Sequence, residues 1–238
     1  SRFFHLSGEA MAELLYLNGN ESVLDVASGT GATTLPLAKK LQHGQVTAVD
    51  FSTGMLEQAS LQAKKAGLSN LDFKTGDMTQ LPFDHHSFDH ATCAFGLFFV
   101  EDMSGALKHI SNTVKPGGKL LVSGFTEDSF QPMAQLLLDR LRSYGIEIPQ
   151  KMGWQRMSEA TQLQEIFAQA GLNDIQIKRR SMGYHIEPED WWDVVWNAGF
   201  RGFVEQLGDK IDEFKQAHLE ELKPLCSDKG LWLEIDIN

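Results

Sequence analysis

The chain has 238 residues, 42% hydrophobic and 22% charged, enough apolar content for a packed core and against a disordered chain. Its 21 basic against 32 acidic residues give a formal net charge of −11, which disfavours a nucleic-acid-binding surface and leaves small-molecule chemistry open. Two cysteines without pair spacing, Cys93 and Cys226, exclude a disulfide or zinc framework and fit a reducing, cytoplasmic setting.

The elements alternate. SVLDVA (22–27) reads as a strand running into a glycine turn, and TTLPLAKKL (33–41) as a helix. QVTAVD (45–50) is a second strand. Ser52 then stands as an N-cap, with Met55, Leu56, Ala59 and Ala63 on one face and Gly67 just past the end. LDFKT (71–75) and FDHATCAF (88–95) are the third and fourth strands. Ser104 to Val114 is helical until KPGG stops it, and KLLVSGF (119–125) is a fifth strand. Strands alternating with helices at this spacing predict βαβ units and a parallel sheet.

Beyond Phe125 the pattern turns helical. Met133, Leu136, Leu137 and Leu141 share one face, and Leu163, Ile166, Phe167 and Ala170 another. IQIKRRS (175–181) reads as a strand. PEDWWDVVWNAGFRGFVEQL (188–207) carries apolar residues at helical spacing, a second helix runs through Ile211, Phe214 and His218, and LWLEIDI (231–237) ends the chain as a strand. The expected organisation is one domain over 1–238, with a ligand-binding core at 20–125, helical substrate-side elements at 126–229 and a final strand at 230–238. The longest apolar run, Ala91–Val100, is too short for stable membrane insertion. No secretory leader pattern stands at the N-terminus, and a start at Ser1 rather than Met leads us to expect residues trimmed or missing upstream.

Three ligands compete for the turn in ESVLDVASGTGATTLPLAKKL (21–41). A P-loop needs a lysine after the second glycine, and none occurs before Lys39. A dinucleotide turn accepts Gly29 and Gly31, but Thr34 stands where a third glycine or alanine packs helix on strand. S-Adenosylmethionine carries no phosphate and needs only the close backbone approach that two glycines allow. Asp50 ends strand two and can accept from both hydroxyls of a ribose, which suits either nucleotide. Asp77, after strand three, suits an adenine amino group, with Met78 as a soft apolar neighbour. Asp25 either lines the ligand or ties the loop backbone.

VLDVASGTG, AVDFSTGML, GDMTQLPFDHHSFDHATCAFGL and KPGGKLLVS together resemble the successive motifs of class I S-adenosylmethionine-dependent methyltransferases, nearest the ubiquinone/menaquinone biosynthesis branch. The resemblance covers residues 20–125. It implies a Rossmann-like, doubly wound α/β fold with a seven-stranded, mostly parallel sheet, whose reversed last strand would be LWLEIDI. It implies that Asp25, Ala27 and Gly29 line the methionine moiety, that Gly31 permits the turn, and that Asp50 binds ribose. Phe51 and Met55 would flank adenine, Asp77 and Met78 would meet its edge and face, and Phe95 would lie near the transferring methyl. The product would be S-adenosylhomocysteine.

A methyl on a sulfonium is already activated, so alignment and exclusion of water are the enzyme's main tasks, and a base is needed only for a nucleophile of high pKa. No catalytic residue stands out. His85, His86 and His90 read as a solvated loop, and His5, Tyr16, Glu101, Tyr184 and His185 are unranked candidates. No metal-ligand spacing is present. Phe4, His5, Trp154, Trp191, Trp192 and Trp196 are expected to wall a small apolar or aromatic acceptor, although aromatic residues at helical spacing also suit plain packing. The aromatic C-terminal region can support a dimer. A binding protein without transfer activity and a dinucleotide oxidoreductase stand as alternatives.

Overall fold

The structure is a computed structural model and describes residues 2–197 and 199–238. In chain order the helices are α1 (Arg2–Leu14), α2 (Thr34–Lys40), α3 (Thr53–Lys65), α4 (Met103–Asn112), α5 (Met133–Ser143), α6 (Ala160–Gln169), α7 (Pro188–Asn197), α8 (Arg201–Val204) and α9 (Ile211–Leu222). The strands are β1 (Ser22–Val26), β2 (Gln45–Asp50), β3 (Leu71–Thr75), β4 (Phe88–Ala94), β5 (Val114–Ser123), β6 (Arg180–Ser181), β7 (Tyr184–Ile186), β8 (Leu231–Leu233) and β9 (Asp236–Ile237). They fall into two compact units, one of Arg2–Phe125, Gly153–Lys178 and Asn238, the other of Thr126–Met152 and Arg179–Ile237.

The first unit holds a five-stranded parallel sheet in the order β3-β2-β1-β4-β5. The chain runs outward from β1 to β3, then returns to place β4 on the other side of β1. The strand order therefore reverses between β1 and β4, and all five carboxyl ends share one edge. β1 and β2 are apolar because both faces are covered, with Val23, Leu24, Val46 and Val49 buried. Ala12 of α1 and Leu15 just after it join Leu37, Ala38 and Leu41 in a core against Val23 and Val46. α3 starts where the sequence puts it, the Ser52 hydroxyl accepting from the Met55 N–H at 3.3 Å, and stops at left-handed Gly67.

Five expectations need correction. The parallel sheet has five strands, not seven. LWLEIDI is not one strand: β8 pairs antiparallel with β7, and β9 antiparallel with β6. Asn238, which belongs to the first unit, exchanges both backbone hydrogen bonds with Gly124 just after β5. β5 begins at Val114, before KPGG. The register jumps from Phe88↔Val114 to His90↔Lys119, so Lys115 to Gly118 form a bulge. Gly118 passes so close to the Asp89 carbonyl that a Cβ would lie 2.2 Å from its oxygen. The strand predicted over 175–181 shrinks to β6, and the aromatic helix predicted over 188–207 ends at Asn197, before left-handed Gly199.

In the second unit α7 and α5 both pack on α9. Trp191, Phe130, Phe200 and Phe214 are fully enclosed there. Arg140 of α5 pairs with Glu221 of α9 at 3.0 Å.

Candidate functional site

β1 and β2 end side by side, and the loops leaving them are shaped by one carboxylate inside the sheet and another at its rim. Asp25 lies opposite Thr92 of β4 in register and is 1% exposed. Its Oδ1 accepts from the Thr92 hydroxyl at 2.7 Å, and its Oδ2 from the Thr34 hydroxyl at 2.5 Å. Burial pushes this carboxyl up to about 6; the two hydroxyls pull it down and Asp50 adds repulsion. Each oxygen thus accepts from one threonine hydroxyl, one on β4 and one at the start of α2. Thr34, at the third-glycine position of a dinucleotide turn, is the residue that joins the start of α2 to this buried acid.

The turn itself runs through Ala27 (φ +55°), Gly29 (φ +54°) and Gly31 (φ +90°). A Cβ on Gly31 would stand 2.3 Å from Leu35 Cδ1, which a shift of the leucine side chain relieves, so it is the left-handed backbone that demands glycine. Gly29 differs: a Cβ there would meet nothing within 4 Å, leaving its backbone open to an approaching ligand. The Gly29 N–H donates to Asp50 Oδ2 at 2.7 Å, and the Ser52 N–H to Oδ1 at 2.9 Å. These two bonds fix the Asp50 carboxylate and leave each oxygen a further lone pair, the spacing a ribose diol needs. Beside it Phe51 is 80% and Met55 45% exposed, two large apolar side chains facing water where a flat heteroaromatic ring would cover them. The buried Ser28 hydroxyl has no protein hydrogen-bond partner among the described residues.

Across the β1–β4 boundary the exits of both strands meet. A Cβ on Gly96 would lie 2.3 Å from Ala27 Cβ and 3.7 Å from Met78 Cε. Asp77 takes the Thr79 N–H and hydroxyl on Oδ1, both at 2.8 Å, and the backbone N–H holds its carboxyl below the usual carboxylate range. Phe95 follows β4 as Ala27 follows β1, and it too is left-handed (φ +53°), a conformation costing a side-chain-bearing residue about 1–2 kcal/mol. Two strained exits at one sheet edge point to function.

Phe95 also anchors a row of rings. It stacks on Phe125 at 4.5 Å and 29°, and meets Phe4 of α1 edge-on at 5.2 Å. Trp154, in the 3-10 turn Gly153–Met157, stands edge-on to Phe125 at 6.4 Å. Phe95 and Phe125 are buried, whereas Phe4 and Trp154 are half-buried and His5 is exposed. Cys93 beneath them is buried, with its thiol pushed up to about 12 by burial, so it is inert as a nucleophile.

His86 Nδ1 donates to the Val114 carbonyl at 2.9 Å and His90 Nδ1 accepts from the Lys119 N–H at 3.0 Å, both serving the β4–β5 bulge, and His85 is exposed. Tyr16 lies exposed under the Lys119 ammonium, His185 packs against Trp232, and Glu101 is exposed. In the second unit Trp191 donates to His218 Nε2 at 2.9 Å from a wholly enclosed position. Trp192 lies against Phe214 and Trp196, and Trp196 under Arg201. Sequence reasoning missed Thr92, Gly96 and Phe125. Phe125 had a signal, since it follows strand five as Phe95 follows strand four.

A methyltransferase domain family matches residues 23–118. The demethylmenaquinone methyltransferase of Bacillus cytotoxicus is 30% identical over 173 residues, covering 67% of this chain and 73% of its own. That of Staphylococcus epidermidis is 34% identical over 169 residues, 65% of this chain and 69% of its own. In fold, the YcgJ protein of Bacillus subtilis superposes with a TM-score of 0.64 at 21% identity, over 98% of this chain and 95% of its own. The open Gly29 backbone, the Asp50 carboxylate with lone pairs to spare and the exposed Phe51 and Met55 fit S-adenosylmethionine, the cofactor of the family. Related over most of its length to these enzymes, the chain belongs to the class I S-adenosylmethionine-dependent methyltransferases, among those resembling the ubiquinone/menaquinone biosynthesis enzymes.

Proposed function

We propose that the enzyme methylates a small, flat, apolar acceptor of the quinol type, presented to the cofactor by the aromatic row at the β4 exit. The observation that carries this reading is the row itself: buried Phe95 and Phe125 between half-buried Phe4 and Trp154. Such a wall offers stacking and edge contacts to a planar ring and no charge to a polar one. The names of the relatives, demethylmenaquinone methyltransferases, point the same way.

S-Adenosylmethionine supplies a methyl already activated on a sulfonium and leaves as a neutral thioether. In our reading Asp50 holds the ribose hydroxyls, Phe51 and Met55 sandwich the adenine, and Asp77 with Met78 takes its edge and face. Gly29 and Ala27 let the methionine part lie against the backbone, and Gly31 keeps that turn tight. Asp25 acts one layer below, fixing the turn through Thr34. Phe95 stands beside the methyl, and Phe4 and Trp154 exclude water while orienting the acceptor, the alignment that in-line transfer requires. His5 lies at the mouth on α1. Within the second unit Trp196 is half-buried and stacks on Trp192, while Trp191 is wholly enclosed. With the cofactor bound, loss of a quinol hydroxyl proton would make the adjacent ring carbon the nucleophile; methylation there would give a keto tautomer, and loss of the ring C–H proton with return of one to oxygen would restore the quinol, a net release of one proton to solvent outside the aromatic wall.

The test is methyl transfer from labelled S-adenosylmethionine to 1,4-dihydroxynaphthalene, with mass spectrometry of the product. A product heavier by one methyl supports the reading. Saturable cofactor binding with no transfer to this or to longer-chain demethylated naphthoquinols would reject it.

A further inference from the structure

Arg156 lies two residues after Trp154 and spends its guanidinium on backbone carbonyls. Nη2 donates to the carbonyls of Phe98 at 2.8 Å and Val100 at 2.6 Å, Nη1 to that of Glu101 at 3.2 Å, and Nε to that of Gly153 at 3.4 Å. Three of these acceptors belong to the segment after Phe95, where the 3-10 turn Leu97–Phe99 ends and its last carbonyls lack helical partners. A planar fork with five donors is the one side chain that can gather such a set.

The turn carrying Arg156 is held on two further sides. A Cβ on Gly153 would stand 3.2 Å from the Phe98 oxygen, so the two backbones nearly touch. A Cβ on Gly124 would lie 2.8 Å from Met157 Cε, which packs this turn beside Phe125. The Asn238 side chain donates to the Ser158 carbonyl at 2.7 Å. Trp154 is thereby set against the Phe125 end of the row, and Arg156 is the link that fixes its turn to the segment leaving Phe95.

We infer that Arg156 is a positioning residue for acceptor binding: its guanidinium sets the gap between Trp154 and the Phe95 turn, so that a flat acceptor meets a slot of preset width. The inference rests on the acceptor wall proposed above. Arg156 makes no hydrogen bond to Asp50, Phe51, Met55 or Asp77, so cofactor affinity is independent of it.

Arg156→Met and Arg156→Lys test this. Lysine keeps the charge but cannot span three carbonyls. In both variants amide exchange over 97–102 should accelerate about tenfold or more, with β1 and β2 unchanged, because the clamped turn opens locally. The dissociation constant for S-adenosylmethionine, by calorimetry, should stay within about twofold, while KM for 1,4-dihydroxynaphthalene rises about tenfold with a smaller change in kcat. Unchanged exchange over 97–102, full rescue by lysine, or cofactor affinity falling in step with the acceptor KM would overturn it. If the wild-type enzyme ignores the naphthalenediol, the acceptor reading fails, and the exchange and cofactor measurements still decide whether Arg156 clamps this turn.

Discussion

Replacing Asp25 with asparagine should change how stability depends on pH, in a direction fixed by its burial. The folded protein holds this proton more tightly than the unfolded chain, because the ordinary carboxyl value of 3.8 is raised to about 6. At about 1.4 kcal/mol for each tenfold in proton affinity, ionising Asp25 in the fold costs about 3 kcal/mol. That stability is fully present below pH 3.8 and is lost as pH rises through 6. The Asp25→Asn side chain cannot ionise, yet its amide can accept from one threonine hydroxyl and donate to the other. Urea titrations of both proteins without cofactor, from pH 4 to 7.5, should show the variant gaining about 2.5 kcal/mol on the wild type across the window. His218, which burial lowers to about 4, acts oppositely, its stability present above 6.5 and lost as pH falls, but it cancels in the difference. A difference that stays flat with pH would refute the buried, threonine-bound acid.

Other consequences are more local. Asp50→Ala should weaken S-adenosylmethionine binding by about tenfold or more in calorimetry, since two backbone N–H groups lose their acceptor and, on the proposed reading, so does the ribose. Gly31→Ala should cost about 1–3 kcal/mol in denaturant titration and most of the cofactor affinity, because φ +90° strains an alanine there and Leu35 must shift to admit the Cβ. Trp191→Phe should cost about 1–3 kcal/mol by leaving the buried His218 Nε2 without its donor, readable as a lower denaturation midpoint.

How legible each feature was in the sequence depends on how locally it is encoded. The strands β1 to β4 and the Ser52 cap could be read because each is fixed by neighbours within a few residues. The placing of Asp50 and Asp77 at strand exits along one edge could be read because a parallel sheet puts strand ends on one edge wherever the strands lie. The Asp25 clamp could not: Thr92 lies 67 residues away, and an ordinary strand threonine carries no mark of it. KPGG looked like a stop because Pro116 and two glycines break helices, yet Gly118 lets β5 start early by passing close to the Asp89 carbonyl. LWLEIDI alternates like one strand, but its halves pair with different partners, β7 and β6. The sequence shows where side chains alternate, not which distant strand receives them.

A crystal structure with bound S-adenosylhomocysteine tests the central claim most directly. Both ribose hydroxyls should lie within hydrogen-bonding distance of the Asp50 carboxylate, with Phe51 and Met55 covered by adenine and the sulfur facing Phe95. A ribose away from Asp50, or an adenine that leaves Phe51 in water, would contradict the account.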